Sequence, residues 1–435
     1  MKIRCVNTSA ARAARVIERF LKTAPGDPAA ERTARRVLAE IRASGDRAVA
    51  RFARRFDGAR LTPARFRVTA EELIAAEAAV SPNFRRAVRA VLRRVERFAR
   101  AGRRPDWRLR TPGGGALGER FAPLHRVGVY VPGGAAPLAS TVLMTVPLAR
   151  IAGVPHVVLC TPAGPGGRVD PHILCAARMA GATEVYRIGG IQAIGALAYG
   201  TETIARVDKI VGPGGPFVAA AKRLVYGEVA IDMVAGPSEI AVLADDSADP
   251  AAVAADLLSQ AEHGTGFERT LLATPSAALA RAVRAELPRQ AARLTRPAPV
   301  RRVLEERTLL AVTPDFDEAI ALVNRFAPEH LEILARDPEA AARRVVNVGA
   351  VFIGRWTPES AGDFAAGPSH VLPTGGTARF FSGLTVEDFR RRMSWLKLTR
   401  KDLEEMRPDI EVFARVEGLP GHANSARVRF PEPRP

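Results

Sequence analysis

Apolar residues recur every three to four positions through the first quarter of the chain. The segments ARRVLAEIRASGDRAVARFARRF (34–56) and FRRAVRAVLRRVERFAR (84–100) both show this spacing, which is that of one helix face. We therefore predict helices across residues 28–100. A shorter helix is predicted within residues 1–25, before the breaker Pro25-Gly26-Asp27-Pro28.

The pattern changes after residue 125, where short β-rich runs alternate with alanine-rich helical stretches. The runs are RVGVYV (126–131), HVVLC (156–160), EVYRI (184–188), DKIVG (208–212), SEIAVLAD (238–245), RTLLATP (269–275), TLLAVTP (308–314), EHLEILA (329–335) and AVFIG (350–354). Such alternation is typical of βαβ units. The sequence therefore predicts an α/β fold with two Rossmann-like domains, each built on a parallel sheet, that meet near Pro237.

The predicted domains divide the chain into four parts. Residues 26–128 with 239–380 would form one α/β domain, residues 129–238 the second, and residues 1–25 a helical N-terminal segment. The charged tail, residues 381–435, is too small to form a core alone, so we expect it to dock on another part of the protein.

Composition narrows the class of protein. Apolar residues make up 47% of the 435 positions, as in soluble globular chains. The most apolar stretch, Val142–Cys160, is interrupted by Arg150 and His156, so no membrane span is expected, and the N-terminus lacks the apolar core of a secretory signal. Cys5, Cys160 and Cys175 form no CxxC pair, which favours a reducing cytoplasm over a disulfide framework.

The formal charge of +18 raises the alternative of a basic nucleic-acid-binding protein. The excess is arginine dispersed over the chain, and aromatic residues make up only 6%. A reader of DNA or RNA concentrates its basic residues or interleaves them with aromatics. The densest runs, Arg93-Arg94 with Arg97 and Arg390–Arg392, are expected to be solvated helix faces, so no nucleic-acid partner is predicted.

Glycine-rich turns give the first sign of a ligand site. The one literal GxGxxG match, residues 113–118, precedes a strand instead of following one, so we interpret it as a hairpin or loop and not as a dinucleotide fingerprint. Four other turns follow predicted strands, at residues 130–134, 189–192, 212–215 and 235–239. Glycine at the carboxyl ends of parallel strands lets backbone N–H groups approach phosphates, which makes a nucleotide site plausible.

A second group of residues has the chemistry of a cation site. Gln260 and His263 are spaced i, i+3 on one helix, and Asp363, expected in a loop, and His422 offer further ligands of the kind that Zn²⁺ prefers. Adjacent Glu329 and His330 suit general acid–base work. By spacing alone, the alternatives are structural: a lone histidine on a helix as a satisfied surface or core residue, Gln260 as a surface residue, and Glu329-His330 as a solvated loop pair.

Taken together, these stretches resemble the histidinol dehydrogenase family. The matching segments, in family order, are VGVYVPGG (127–134), GGIQAIGALAYGTE (189–202), VDKIVGPG (207–214), IDMVAGPSE (231–239), DLLSQAEHG (256–264), FAPEHLEI (326–333), GAVFIG (349–354), TPESAGDFAAGPSHVLPTGGTARF (357–380) and EGLPGHA (417–423). They span about 300 residues, and several are long and chemically unusual.

The resemblance implies a cytoplasmic homodimer with a zinc site and two successive NAD-dependent oxidations, of L-histidinol through L-histidinal to L-histidine. The implied metal ligands are Gln260, His263, Asp363 and His422. The implied base for the alcohol proton is His330, and Glu329 would activate water in the second step. The implied substrate contacts, besides these six residues, are Ser238, Glu417 and His370, and the implied NAD contacts are Tyr130, Gln192 and Gly215. In the family the tail reaches the other subunit, which makes the active site composite.

Three positions depart from the family pattern. Gly215 stands where an asparagine that contacts the cofactor is usual, Phe364 where tyrosine is frequent, and Ser369 where asparagine is common. None of these changes removes an implied metal ligand or base. They leave open the alternative that this family member oxidises another small polar alcohol with NAD.

Overall fold

The computed structural model describes residues 1–22, 27–133 and 137–430. The strands in these ranges are β1 (Arg4–Asn7), β2 (Trp107–Arg110), β3 (Ala116–Pro123), β4 (Arg126–Tyr130), β5 (His156–Cys160), β6 (Glu184–Tyr186), β7 (Lys209–Val211), β8 (Ala230–Ile231), β9 (Glu239–Ala244), β10 (Arg269–Thr274), β11 (Thr308–Val312), β12 (His330–Leu334), β13 (Ala350–Ile353) and β14 (Arg390–Lys397). The predicted breaker at 25–28 and the predicted glycine turn at 130–134 lie partly outside the described residues.

Helices occupy most of the connections between these strands. The α-helices are α1 (Ala13–Leu21), α2 (Pro28–Phe52), α3 (Ala70–Ala79), α4 (Pro82–Ala101), α5 (Ala139–Leu143), α6 (Val146–Ala152), α7 (Pro171–Ala180), α8 (Gly190–Tyr199), α9 (Pro216–Val225), α10 (Pro250–Ala261), α11 (Ala277–Ala291), α12 (Pro297–Arg302), α13 (Phe316–Phe326), α14 (Pro338–Ala342), α15 (Glu359–Phe364), α16 (Arg400–Val416) and α17 (Pro420–Arg427). Across the described ranges, none of these helices is both long and apolar enough to cross a membrane.

The chain divides into two compact units. The first comprises residues 1–102 and 124–389, and the second comprises residues 103–123 and 390–435. The first unit contains two parallel sheets, one of five strands in the order β6-β5-β4-β7-β8 and one of six in the order β1-β11-β10-β9-β12-β13. The prediction of an α/β fold with parallel sheets is confirmed.

The five-stranded sheet is buried on both faces, as the continuous apolar runs of its strands predict. Val127 on β4 is paired with Val157 on β5 and with Lys209 on β7. Helix α2 packs its apolar stripe onto α8 in the same core, and Leu38 of α2 and Ile194 of α8 are both buried members of that cluster. Residues of α3 and α4 also belong to this core. The helices of residues 28–101 thus share a core with the five-stranded sheet. The predicted domain of residues 26–128 and 239–380 had placed them with the strands of the six-stranded sheet.

The six-stranded sheet has its own two cores, one on each face. Alternate residues of β9 point to opposite sides, so Val242 joins one cluster and Leu243 the other. At one edge β1 pairs in parallel with β11 of the same chain. The prediction of helix alone for residues 1–25 is therefore wrong at Arg4–Asn7, a stretch of four residues that is too short to show periodicity. The helix α1 buries Ile17 and Phe20 against the same sheet.

The second unit is built on an antiparallel sheet in the order β14-β3-β2. The expectation that Arg390–Arg392 lies on a helix is wrong, because these residues open β14 and pair with Phe121–Pro123 of β3. The GxGxxG segment forms part of a hairpin, as predicted: residues 113–115 lie in the connection between β2 and β3, and residues 116–118 pair antiparallel with β2. Its backbone N–H groups at Gly113 and Gly115 donate to the carboxylate of Asp402, at 2.8 and 3.1 Å. A side chain at either glycine would collide with that carboxylate.

Candidate active site

The acid–base pair lies at the amino end of the six-stranded sheet. His330 is the first residue of β12 and Glu329 precedes it, while Glu239 opens the neighbouring strand β9. All three side chains are buried, with His330 only 2% exposed. The backbone N–H of Glu239 donates to Glu329 Oε2 at 3.0 Å. The surface-residue alternative is therefore wrong for this pair.

Hydrogen bonding assigns the proton of the His330 ring. Nδ1 lies 3.1 Å from the carbonyl oxygen of Glu239 and 3.0 Å from Gln260 Oε1. A carbonyl oxygen can only accept, so Nδ1 carries a hydrogen, and in the neutral ring the lone pair is on Nε2. Nε2 is buried and has no hydrogen-bond partner among the described residues. Its nearest charged atom is Asp363 Oδ1, at 3.5 Å.

Three further side chains converge beside that nitrogen. His263 Nε2 lies 3.8 Å from Asp363 Oδ2, and Glu359 Oε1 lies 3.9 Å from His330 Nε2. Ligand atoms of His263, Glu359 and Asp363 all lie within 4.8 Å of one another. Gln260, fully buried on α10, donates from Nε2 to Glu359 Oε1 at 3.3 Å. The surface-residue alternative is wrong for Gln260 as well.

Two of these positions differ from what the sequence predicted. Asp363 lies on the short helix α15, and not in a loop. Glu359 was missed, although it stands four residues before Asp363 and therefore shares its helix face. A six-residue helix that begins after Pro358 gives too little periodicity to be recognised from sequence. Glu359 Oε2 also accepts from Ser259 Oγ at 2.8 Å, so both of its carboxylate oxygens are engaged.

The electrostatics of the pair are set by burial and by carboxylates. Burial raises the pKa of Glu329 to about 7. Burial alone would lower the pKa of His330, but the carboxylates of Glu329 and Asp363 outweigh it and raise this pKa to about 9. Burial acts to raise the pKa of Asp363, yet the nearby imidazoles of His330 and His370 hold that pKa well below its usual range.

A layer of carboxyl groups backs this cluster. Glu332, in the middle of β12, accepts a hydrogen bond from the backbone N–H of Glu359. Burial and the neighbouring Asp256 raise the pKa of Glu332 to about 10. Burial and Asp363 likewise raise the pKa of Glu359 to about 8. Several negative charges cannot be held together in a buried site without a compensating cation or bound protons.

These side chains fit a divalent cation. Nitrogen from His263 and oxygen from Asp363 are donors that zinc accepts, and the unpartnered His330 Nε2 opens onto the same cluster. Gln260 turns its amide nitrogen to His263 Nε2, at 3.4 Å. A half-turn of the amide would turn its oxygen to His263 with little change of shape, and the carbonyl of Glu239 alone would then accept from His330 Nδ1.

Two residues expected at the substrate lie at the rim of the cluster. His370 Nδ1 lies 2.9 Å from the carbonyl oxygen of Asp363, which fixes the ring. The preceding residue, Ser369, donates from Oγ to the carbonyl of Met144 at 2.8 Å, in the core of the five-stranded sheet. Ser238 directly precedes Glu239 at the start of β9 and is half-buried. Ser369 therefore contacts the core of the five-stranded sheet, while His370 contacts Asp363 in the cluster at the six-stranded sheet.

Glu417 and His422 lie in the second unit, so they are described apart from this cluster. Both are exposed and line one groove between α16 and α17. The other residues of the groove are Met406, Asp409, Ile410, Phe413, Ala414 and Leu419. Phe413 is 66% exposed and Val416, one residue before Glu417, is 79% exposed. An apolar surface of this kind commonly marks a contact site.

The residues expected at a dinucleotide lie at the carboxyl end of the five-stranded sheet. Tyr130 is the last residue of β4, and its hydroxyl accepts from the backbone N–H of Gly190 at 3.1 Å. Gln192, on the first turn of α8, is fully buried. A Cβ at Gly212 would lie 2.1 Å from the Tyr130 carbonyl oxygen, and one at Gly189 would lie 2.4 Å from the Pro162 side chain. Close backbone packing at this strand end therefore requires glycine.

Gly215 begins α9 at the same end of that sheet. It is the N-cap of α9, with extended backbone, and a Cβ there would meet nothing within 4 Å. The turn before it is held by the buried Lys222, which donates to the Gly212 carbonyl at 2.8 Å and pairs with Asp232. The N–H groups at the start of a helix are a favourable place for phosphate.

Comparison with known proteins finds a family and close relatives of this chain. The family described as histidinol dehydrogenase matches residues 22–430. The chain is 46% identical to the histidinol dehydrogenase of Heliobacterium mobile over 394 residues, 91% of this chain and 92% of that protein. It is 45% identical to that of Geobacter sulfurreducens over 395 residues, with the same coverage of both chains.

A solved structure extends this likeness to the fold. The crystal structure of histidinol dehydrogenase from Elizabethkingia anophelis superposes with a TM-score of 0.93 and 35% sequence identity, and the match covers 98% of each chain. Sequence likeness over nine-tenths of the chain and a shared fold leave one conclusion: this chain belongs to the histidinol dehydrogenase family.

Proposed function

We propose that this protein is a zinc-dependent histidinol dehydrogenase. It would oxidise L-histidinol through L-histidinal to L-histidine in two successive NAD-linked steps, the last steps of histidine biosynthesis. The observation that carries the proposal is the buried His330, whose Nε2 is unpartnered and lies 3.5 Å from Asp363 in a cluster able to hold a cation. The identity of the substrate, L-histidinol, is inferred from membership of the histidinol dehydrogenase family.

In the first oxidation His330 is the base. The neutral ring, which the positive charge of a bound metal ion would favour over the protonated ring, would accept the proton of the substrate hydroxyl at Nε2. The carbon that bears this hydroxyl would give up a hydride to the nicotinamide and become an aldehyde. The bond from Nδ1 to the Glu239 carbonyl keeps Nε2 free for this role. Because the ring is buried and held from two sides, it needs little reorganisation when the proton arrives.

In the second oxidation Glu329 is the base. It takes a proton from the water that adds to the aldehyde carbon, and the resulting hydrate gives up a second hydride to a second NAD. A carboxyl group with a pKa near 7 is well matched to such a transfer at neutral pH. Glu329 is held in place by the Glu239 backbone N–H.

The proposed metal ligands are Gln260, His263, Asp363 and His422, with Glu359 positioning the amide of Gln260. When bound, zinc would supply the positive charge that balances these carboxylates and holds the imidazole and amine of the substrate. Ser238, His370 and Glu417 are proposed to contact the substrate, and Tyr130, Gln192 and Gly215 to contact NAD.

We further propose a homodimer in which the second unit completes the site of its partner. Support comes from Glu417 and His422, which are exposed and lie beside the exposed apolar residues Phe413 and Val416. An interface with a partner subunit would bury this apolar surface and enclose the metal ligand. The free thiols Cys5, Cys160 and Cys175 are consistent with a cytoplasmic location.

The test is the stoichiometry of the reaction. Purified zinc-loaded protein given L-histidinol should form two NADH for each histidine. A metal-loaded protein that forms no NADH with histidinol contradicts the proposal. Activity with another small polar alcohol in a substrate panel, together with none on histidinol, would instead support the alternative left open by Gly215, Phe364 and Ser369.

A further inference from the structure

A carboxylate that the proposed reaction does not use lies beside the expected dinucleotide site. Asp57 ends the π-helical turn Ala53–Asp57 that prolongs α2. Its Oδ2 accepts a hydrogen bond from Nε2 of Gln192, at 2.9 Å, across 135 positions of sequence. The backbone of Gly189 lies near enough to this carboxylate to oppose the rise of its pKa. Asp57 therefore lies beside the glycine turn and contacts the first turn of α8.

This contact decides which way the Gln192 amide faces. A carboxylate only accepts hydrogen bonds, so the amide nitrogen must point to Asp57 and the amide oxygen away from it. Gln192 Oε1 is buried and has no hydrogen-bond partner in the described part of the chain. A Cβ at Gly190 would lie 3.0 Å from this oxygen, so the space beside it stays open because residue 190 is glycine.

A buried acceptor without a donor is unfavourable, and so is a carboxylate in a partly apolar place. Burial raises the pKa of Asp57 to about 6, even with the hydrogen bond from Gln192 and the nearby backbone of Gly189. A brace that served only the fold would be more stable with asparagine at this position. Two unfavourable groups in contact, next to Tyr130 and a glycine turn, indicate a site arranged for a ligand.

We propose that Asp57 is a positioning residue for the dinucleotide: it holds the Gln192 amide so that Oε1 accepts a hydrogen bond from a hydroxyl or amide group of NAD. This rests on the proposed function, since it assumes that NAD is bound at this strand end. It assigns a role in cofactor binding to a residue from the N-terminal helical region.

The test is NADH binding to the full-length protein, measured by fluorescence titration without substrate. Asp57→Ala frees the amide to rotate and should raise the dissociation constant about tenfold. Gln192→Ala should do the same, and the double variant should be no more than about twofold weaker than either single variant, because both remove one interaction. Asp57→Asn keeps an acceptor and should bind within about threefold of the parent.

Kinetics separate positioning from a purely structural role. For Asp57→Ala the KM for NAD should rise about tenfold, while turnover at saturating NAD changes less than threefold. Asp46→Ala is the matched control: Asp46 is also on α2, is buried, and accepts from Thr203 Oγ1 at 3.1 Å, beyond the other end of α8. This variant should lose thermal stability and keep the parent's affinity for NADH.

Two results overturn this inference and leave the proposed function standing. Asp57→Ala that binds NADH within twofold of the parent shows that the carboxylate is not needed. Additive losses in the double variant show that it does not act through Gln192. A parent protein that does not bind NADH at all overturns the proposed function together with this inference, so the two failures are distinguishable.

Discussion

The two parallel sheets of the first unit place their functional residues at opposite strand ends. In the five-stranded sheet, Tyr130 closes β4 and the glycine turns follow β6 and β7. In the six-stranded sheet, Glu239 and His330 open β9 and β12. Only the first arrangement follows the rule that open α/β sheets bind ligands at the carboxyl ends of their strands.

Helix polarity gives a reason for the difference. Helices begin near the carboxyl ends of parallel strands, where their N–H groups favour anions, and finish near the amino ends, where their carbonyl groups favour cations. Gly215 caps the start of α9, whereas Gln260 lies in the last turn of α10. One sheet is therefore suited to an anionic dinucleotide and the other to a metal ion. In these two sheets the charge of the expected ligand, and not the fold type alone, accounts for the strand end at which the candidate site lies.

The largest expected effect is on turnover, at the amino end of the six-stranded sheet. His330→Asn removes the proposed base and should lower kcat by about 10²–10⁴, with NADH affinity unchanged. His156→Asn is the control, because His156 opens β5 of the other sheet and should keep the parent's kcat. Steady-state kinetics with histidinol measure both. Equal losses in the two variants would contradict the division of labour between the sheets.

Each sheet has one buried ion pair near its functional end, and breaking either should destabilise the fold. Arg269 pairs with Glu239, and Lys222 pairs with Asp232. Arg269→Met or Lys222→Met leaves a buried carboxylate without its cation and should lower the free energy of unfolding by about 3–5 kcal/mol. Thermal and urea unfolding measure this.

The two variants should differ in ligand binding. Lys222 holds the Gly212 turn, so Lys222→Met should also weaken NADH binding, while Arg269→Met should leave it close to the parent's. Arg42→Met breaks an exposed pair with Glu228 and, as a control, should leave the free energy of unfolding close to the parent's, because solvent screens an exposed pair. If both buried-pair variants have the parent's free energy of unfolding, these two ion pairs do not stabilise the fold.

The next effect is a pH dependence at the carboxyl end of the five-stranded sheet. The folded pKa of Asp57, about 6, lies above the unfolded value of about 3.9. The protonated form is therefore favoured by folding, and this stability is complete below about pH 4 and lost as the pH rises through 6. Relative to the parent, Asp57→Asn should thus gain up to about 3 kcal/mol between pH 4 and pH 7.5. Denaturant unfolding at the two pH values measures the gain, and a constant difference would contradict it.

The smallest effect concerns the position where the family usually has asparagine. Backbone at Gly215 is extended, and the space around it is open, so Gly215→Asn fits without a clash. A restored hydrogen bond should tighten NADH binding about 2- to 10-fold. Gly215→Ala, which fills the space without an amide, should not tighten it. If both variants bind alike, this position does not contact the dinucleotide.

Nine of the eleven described strands of the two parallel sheets could be predicted, because each is a short apolar run bounded by turn residues. The elements that were missed include β1, β8, β14 and α15. They are short or polar, and their state is set by pairing or packing with distant parts of the chain. Arg390–Arg392, for example, becomes a strand only because β3 lies beside it.

The candidate site divides in the same way. His330 and Asp363 were found because acid–base and ligand chemistry is visible in residue type. Asp57 was not, since its meaning depends on Gln192, 135 positions away. The most familiar motif, the GxGxxG match at 113–118, is no cofactor loop, as its context predicted: the backbone N–H groups of Gly113 and Gly115 bind the carboxylate of Asp402 inside the second unit. A glycine pattern shows that something approaches the backbone closely, and only the fold shows what.

The contact between the His330 ring and the carbonyl of Glu239 has a consequence for how such an enzyme can change over generations. The acceptor belongs to the main chain, which every amino acid supplies. No point substitution at residue 239 deletes it, so drift in the surrounding side chains can alter rate or preference while the imidazole keeps the same tautomer.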